Sequence, residues 1–351
     1  MNYNWKLSEA NFTKDKGKVF SCFACGGGST MGYKLAGFDV IGHNDIDPKM
    51  VEVYKENHKP KYSYLESITT FAKRKDLPKE LYELDILDGS PPCSSFSMAG
   101  NREKDWGKEK KFREGQELQV LDTLFFDFID LANELKPKVV VAENVKGLLL
   151  GAAKDYVIKI YDAFDKAGYT CQHFLLNASK MGVPQKRERV FFIALRKDLA
   201  SNFLEYVDMF TELPKLELNF YEKEIPFKEI YEIGNTDRLL TGAAFELWKE
   251  RIDTDSDLEN ISKRNGRPNF MFNHKFIKLS KVCNTITAND NCCLYEEPRY
   301  RSKNELCKSG SYPLDYNFLK LKPEYLIGMS VPPLMTGKIA QQIYKQWLSK
   351  L

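Results

Sequence analysis

No uninterrupted run of about 18 apolar residues occurs in the 351-residue chain, so no segment reads as a membrane-spanning helix. A basic-then-apolar leader is also missing at the N-terminus, and an intracellular, cytoplasmic location is expected. Eight cysteines are too few for a disulfide scaffold in a chain of this length. Cys22-x-x-Cys25 has no second matching pair, and the adjacent Cys292 and Cys293 suit one ion poorly, so no metal site is expected. The glycine fingerprint of dinucleotide-binding folds is absent: Gly26, Gly28 and Gly32 leave the last interval one residue too long. Strong net charge is absent too, at +3, but the average hides a contrast. Residues 201–260 are rich in acids, whereas 261–281 is basic.

What is present alternates. Residues 1–17 are polar and read as a peripheral arm; Lys18–Ala24 reads as a strand, followed by a glycine-rich turn and a helix over Thr30–Ala36 capped by Ser29 or Thr30. A second strand over Phe38–Asp47 ends in acids, the order of a nucleotide-binding unit, and Asp45 lies 19 residues beyond Gly26. Leu84–Leu87 is a short apolar strand running into Ser90-Pro91-Pro92-Cys93. Helical spacing covers 116–135 and stops at Pro137; Val139–Ala142 is a fully apolar strand of the parallel-sheet type. A helix over 154–166 and strands at 171–176 and 190–195 complete a doubly wound α/β pattern. The alternation stops after Arg196, which marks a second, smaller domain, and a helix over Ile339–Trp347 follows Val331-Pro332-Pro333.

Several residues carry chemistry. Two prolines stiffen the loop that holds Cys93, as a nucleophile requires, although a proline-rich turn around an inert cysteine has the same local sequence. Glu143 follows an apolar strand and so belongs on the same rim of the sheet as Cys93, with Asn144 placed to order the loop. Arg187 and Arg189 alternate and therefore face one side of a strand; alone, such a cluster also suits a solvated sheet edge. The polar loop 98–115 carries Arg102, Trp106, Lys108, Lys110, Lys111 and Arg113 directly after Cys93. Lys263, Arg264, Arg267, Lys275, Lys278 and Lys281 interleave with Phe270, Phe272 and Phe276, a pattern that neutralises phosphates.

Four stretches in this order, Gly26–Gly32, Ser90–Cys93, Glu143-Asn144-Val145 and Gln185-Lys186-Arg187-Glu188-Arg189, resemble the prokaryotic and phage cytosine-5 DNA methyltransferases. The resemblance implies a Rossmann-like doubly wound sheet of the class I S-adenosylmethionine-dependent type over 17–198. A target-recognition domain at 199–303 and a C-terminal segment at 304–351 returning to the first domain complete it. It implies that Cys93 adds to carbon 6 of a flipped-out cytosine, with Glu143 at nitrogen 3, Arg189 at the ring carbonyl and Arg187 near a phosphate. S-adenosyl-L-methionine would lie on Phe23, Ala24, Gly26 and Gly28, with Asp45 on the ribose and Ile46 against the adenine. Pro91 and Ser330 would complete that pocket, Ser67 standing where relatives carry an Asp and Met329 where they carry an Asn. Double-stranded DNA would be held by Arg102, Lys110, Arg113, Gln185, Lys263, Arg264, Arg267 and Lys275. A cognate restriction endonuclease, a monomeric state and nucleoid association are implied in the same way. Two rivals remain: a tRNA cytosine-5 methyltransferase, whose Cys-Phe-Thr tripeptide this chain lacks, and a dinucleotide-dependent oxidoreductase, which leaves Cys93, Glu143 and Arg189 without a shared role.

Overall fold

The computed structural model describes residues 3–92, 123–150, 153–206, 212–267 and 270–351, plus the backbone of two short paired strands, Glu109–Lys110 and Gln119–Val120. The chain divides into two compact units. The first comprises Asn11–Leu176, Glu188–Asn219 and Thr336–Leu351; the second comprises Met1–Ala10, Asn177–Arg187 and Phe220–Met335.

The first unit is built on a seven-stranded sheet. Its strands are β1 (Lys18–Cys22), β2 (Asp39–Asp45), β3 (Tyr62–Leu65), β4 (Ile86–Gly89), β5 (Val139–Val145), β6 (Tyr169–Asn177) and β7 (Glu188–Arg196). They lie in the order β3-β2-β1-β4-β5-β7-β6. β3 through β5 are parallel, and β7 runs antiparallel to β5, which departs from a wholly alternating parallel pattern. The reason is the link between β6 and β7: it holds only the turn Ala178–Lys180, whereas a parallel return needs a helical crossover. The chain winds outward from β1 in one direction and resumes at β4 in the other. Ligands in such sheets bind at that switch point, outside the carboxyl ends of the strands.

The helices α1 (Gly28–Leu35), α2 (Pro48–His58), α3 (Ile68–Phe71), α4 (Leu124–Leu135) and α5 (Lys154–Lys166) accompany these strands. α2 starts where Pro48 follows Asp47, whose carboxylate accepts from the Lys49 and Met50 amides. α4 buries Leu124, Phe125, Phe128, Ile129, Leu131, Ala132 and Leu135, an apolar stripe of helical period, and ends at Lys136 in the left-handed region just before Pro137. Each of the buried leucine, isoleucine and phenylalanine side chains stabilises the unit by about 1.5–3 kcal/mol. Phe125 meets Phe192 of β7 edge-on at 5.6 Å, and a Cβ added to Gly89 would meet the Phe128 ring at 2.6 Å. Glycine at position 89 therefore lets α4 close over the end of β4.

Several boundaries differ from the sequence reading, among them β4, which is Ile86–Gly89 rather than Leu84–Leu87, and β6, which is Tyr169–Asn177 rather than 171–176. α1 begins at Gly28, because Gly27 takes the left-handed N-cap position that Ser29 and Thr30 cannot take. β5 runs through Val145, so Glu143 and Asn144 belong to the strand itself. The C-terminal helix spans Pro333–Gln346, since proline is well suited to a first helical turn.

The second unit packs Leu240, Leu247, Leu258, Ile261, Phe276 and Cys293 around the helices Gly242–Lys249 and Leu258–Arg264. Two buried ion pairs, Arg299–Glu305 at 2.8 Å and Arg301–Asp290 at 2.6 Å, fix its later half. The N-terminal residues are anchored here: Tyr3 Oη donates to Gly182 O, Trp5 Nε1 to Ser311 O, and the Leu7 and Ser8 amides to Asp315. Residues 304–335 also fall in this unit, and only Thr336–Leu351 join the sheet unit. No helix among the described residues is long and apolar enough to cross a membrane.

Candidate active site

At the carboxyl end of β1 the backbone turns through two non-glycine residues in the left-handed region, Phe23 (φ 51°) and Cys25 (φ 46°). Each such conformation costs on the order of 1–3 kcal/mol and persists only where neighbours enforce it. Asp45, at the end of β2, does so: its carboxylate accepts from the Cys25 and Asp47 amides, both at 2.8 Å. Burial raises the Asp45 pKa to about 6, and the two amide bonds work against that rise. A Cβ on Gly27 (φ 86°) would lie 2.2 Å from His58 Nε2, so the turn is open to backbone only. His58 Nε2–H donates to Gly26 O at 3.3 Å while Lys34 Nζ donates to His58 Nδ1 at 3.4 Å. Burial holds that imidazole neutral and brings Lys34 down to about 8.

α1 leaves this turn without a side-chain cap, so its first amides face the glycine turn. An acid at one strand end, a turn that admits no side chain and an uncapped helix start fit a ligand with ribose hydroxyls and a carboxylate. Phe23, Ala24, Gly26, Gly28, Asp45 and Ile46 all belong to this turn or to the end of β2. Ser67 caps α3 instead, accepting from the Thr70 amide. Ser330 lies in the second unit and spends its hydroxyl on Leu326 O at 2.8 Å.

Farther along the same rim, Arg189 Nε lies 2.9 Å from Glu143 Oε1; both side chains are mostly buried, yet each keeps an exposed edge. β5 and β7 make this pair by register, with Val145 opposite Arg189 and Glu143 opposite Phe191. Beside it, Asn144 Nδ2 donates to Pro91 O at 3.1 Å, and its Oδ1 accepts from Val145 N. Pro91 is thereby fastened next to Glu143, two residues before position 93. Cys93 itself lies outside the described residues, as do Arg102, Trp106, Lys108, Lys111 and Arg113, and of Lys110 only the backbone is described.

Arg187 does not share a strand face with Arg189, because β7 starts only at Glu188. It is 3% exposed, in the second unit, where its guanidinium donates to Ile286 O at 3.1 Å and Gly328 O at 3.0 Å. Gln185 is buried as well, donating to Ser309 O and accepting from Ile286 N. In the basic segment Lys263 pairs with Glu259 at 3.1 Å and Arg264 with Asp255. Arg267 and Lys275 are exposed without an ion pair among the described residues. One group escaped the sequence reading: Asp88 on β4, 4% exposed, accepting from Ser21 Oγ at 2.7 Å and Tyr33 Oη at 3.1 Å. The signal was an ionisable residue inside an apolar strand.

Comparison with known proteins supplies the remaining finding. The family model described as C-5 cytosine-specific DNA methylase matches residues 17–345. The chain is 37% identical to the Type II methyltransferase M.FnuDI of Fusobacterium nucleatum over 53% of its own length and 49% of that protein's. It thus spans about half the length of that relative. Similarity to the Type II methyltransferase M.Bsp6I of Bacillus sp. (strain RFL6) is lower, at 27%, but covers 94% of this chain and 99% of the other. Among solved structures, DNMT2 of Spodoptera frugiperda superposes with a TM-score of 0.61 at 18% identity, covering 92% of this chain and 99% of that one; this likeness concerns the fold.

Proposed function

Since the chain belongs to the C-5 cytosine-specific DNA methylase family, we propose that it transfers a methyl group from S-adenosyl-L-methionine to carbon 5 of a cytosine in double-stranded DNA. The observation that carries the reading is the Glu143–Arg189 pair with Asn144 fastening Pro91 beside it. That arrangement brings Pro91, two residues before Cys93 in the sequence, to the rim where a carboxyl and a guanidinium already meet.

Carbon 5 of cytosine is a weak nucleophile inside an aromatic ring. Addition of the Cys93 thiolate to carbon 6 removes the aromaticity and makes carbon 5 enamine-like, dividing one difficult step into two easier ones. Glu143 serves nitrogen 3, where electron density gathers, and Arg189 turns its remaining N–H groups to the ring carbonyl. Asp45 and the turn Phe23–Gly28 would hold S-adenosyl-L-methionine, which when bound would supply an electrophilic methyl on a sulfonium. Loss of the carbon 5 proton to a solvent base leaves its bonding pair to re-form the C5–C6 double bond as the C6–S bond breaks, which frees the Cys93 thiolate and restores the ring. A cytosine reaches such a pocket only when swung out of the duplex, at a cost of a few kcal/mol. The Type II designation of the relatives supports a restriction–modification setting with a cognate endonuclease.

Incubation with labelled S-adenosylmethionine and mixed-sequence duplex DNA, followed by nucleoside analysis, is expected to yield labelled 5-methylcytosine. A tRNA substrate run in parallel is expected to stay unlabelled. Label in tRNA alone, or in neither, would overturn the reading.

A further inference from the structure

Asp88 takes no part in the chemistry above, yet it is the buried carboxyl that ties both ends of the cofactor turn together. It stands in register with Ser21, two residues before Phe23. Ser21 Oγ–H donates to its Oδ2 at 2.7 Å. Tyr33, on the helix that leaves the turn, donates to its Oδ1 at 3.1 Å. The carboxyl hangs one residue short of the end of β4, a rise of about 3.3 Å below the rim. Among the described residues, Cys22 of β1, Tyr33 of α1, Tyr54 of α2 and Glu143 of β5 are the titratable groups that face it. Tyr54 in turn shares a hydrogen bond with Thr30 Oγ1 at 2.8 Å.

We propose that Asp88 is a specificity-determining, positioning residue whose carboxylate, held beneath the cofactor turn by Ser21 and Tyr33, favours the cationic methyl donor over its uncharged product. The inference rests on the S-adenosylmethionine reading. Donor and product differ by one methyl group and one positive charge, so shape alone separates them weakly. A fixed anion under the turn acts on the sulfonium and has no charge to act on in the thioether. A buried anion acting on a nearby cation at an effective dielectric near 20 is worth on the order of tenfold in relative affinity. Burial, with the Glu143 charge adding to it, raises the Asp88 pKa to about 7, while the two hydroxyl donors oppose the rise. The discrimination is therefore absent in mild acid and present in mild base.

Calorimetric titration of the full chain with S-adenosylmethionine and, separately, S-adenosylhomocysteine from pH 5.5 to 8.5 tests this without requiring turnover. In the wild type the product-to-donor Kd ratio is expected to rise about tenfold across that range. Asp88→Asn should remove the part of that rise centred near pH 7. Ser21→Ala and Tyr33→Phe, which leave the carboxyl but remove a donor to it, should each move the midpoint upward. Asp45, whose pKa burial raises to about 6, acts on the sulfonium through the same kind of charge, so the part of the rise centred near pH 7 that is lost in Asp88→Asn is the readout that belongs to Asp88. A pH-independent ratio in the wild type, or a wild-type ratio profile in Asp88→Asn, overturns the proposal. Binding of neither ligand overturns the cofactor reading and takes this proposal with it.

Discussion

Arg187 and Arg189 stand two residues apart in one short motif, and they end in different compact units with different surroundings. Arg189 lies on β7, with a carboxylate at 2.9 Å and an edge still open to solvent. Arg187 is closed in by backbone carbonyls of a loop and of the helix Pro323–Met329. A guanidinium paired with an acid on a rim can exchange partners when a substrate arrives. One whose N–H groups satisfy buried carbonyls holds the scaffold, and its removal leaves those carbonyls unpaired. Residue type and spacing are the same in both; what separates them is the partner each side chain has.

The largest effect should come from the rim. Cys93→Ser is expected to abolish methylation while leaving donor affinity nearly intact, and turnover near the wild-type rate would refute the nucleophile. Glu143→Gln should lower kcat by about 10²–10⁴-fold, the usual range for losing a positioned proton-transfer group. The two arginines then give a crossed pair. Arg189→Ala should lower kcat/KM about 10²–10³-fold with the urea midpoint barely moved. Arg187→Ala should instead cost about 2–4 kcal/mol of unfolding free energy, since two buried acceptors lose their donor. If both variants lost activity at unchanged stability, the contrast between them would collapse.

A second contrast lies within the sheet unit, between the open rim and the closed interior beneath it. Asp45 and Asp88 both have pKa values raised by burial, to about 6 and about 7. An unfolded carboxyl releases its proton near pH 3.8, so between about pH 4 and 7 the folded chain binds more protons than the unfolded one. Their contribution to stability is therefore largest in acid and is lost as pH rises through the folded values. Asp88→Asn removes one of these terms and should flatten the decline between pH 5 and 7.5 by on the order of 2–4 kcal/mol. Parallel pH profiles for wild type and variant in chemical denaturation would show that Asp88 ionises elsewhere.

Much of this was legible in the residues. The Gly-rich turn after β1, the acid at the end of β2 and the apolar run of β5 obey local rules, so the parallel half of the sheet follows from sequence periodicity. Reversal of β7 does not, since it depends on what the connection 178–187 lacks. The burial of Gln185 and Arg187 depends on carbonyls about 100 residues or more away, at Ile286, Ser309 and Gly328, which no local pattern encodes. Asp88 shows the opposite failure. Its acid was visible inside Ile86-Leu87-Asp88-Gly89, but the tyrosine and serine that shelter it come from separate elements.

The basic segment gives the finest version of the same contrast, because its cations differ only in whether an acid already holds them. Lys263 and Arg264 sit on the helix Leu258–Arg264, paired with Glu259 and Asp255, and a phosphate would have to displace those partners. Arg267 and Lys275 flank the exposed Phe270 and Phe272 and would meet a polyanion without that competition. Each phosphate contact releases about one counterion, so its loss lowers the slope of log affinity against log salt by about one. Arg267→Ala and Lys275→Ala should each show that loss in duplex-DNA titrations from 50 to 200 mM salt, with Lys263→Ala and Arg264→Ala nearer zero. Equal slopes across all four variants would mean that the internal pairs open freely on binding. The partner seen at rest would then predict function on the rigid sheet and fail to predict it on this loop-rich segment.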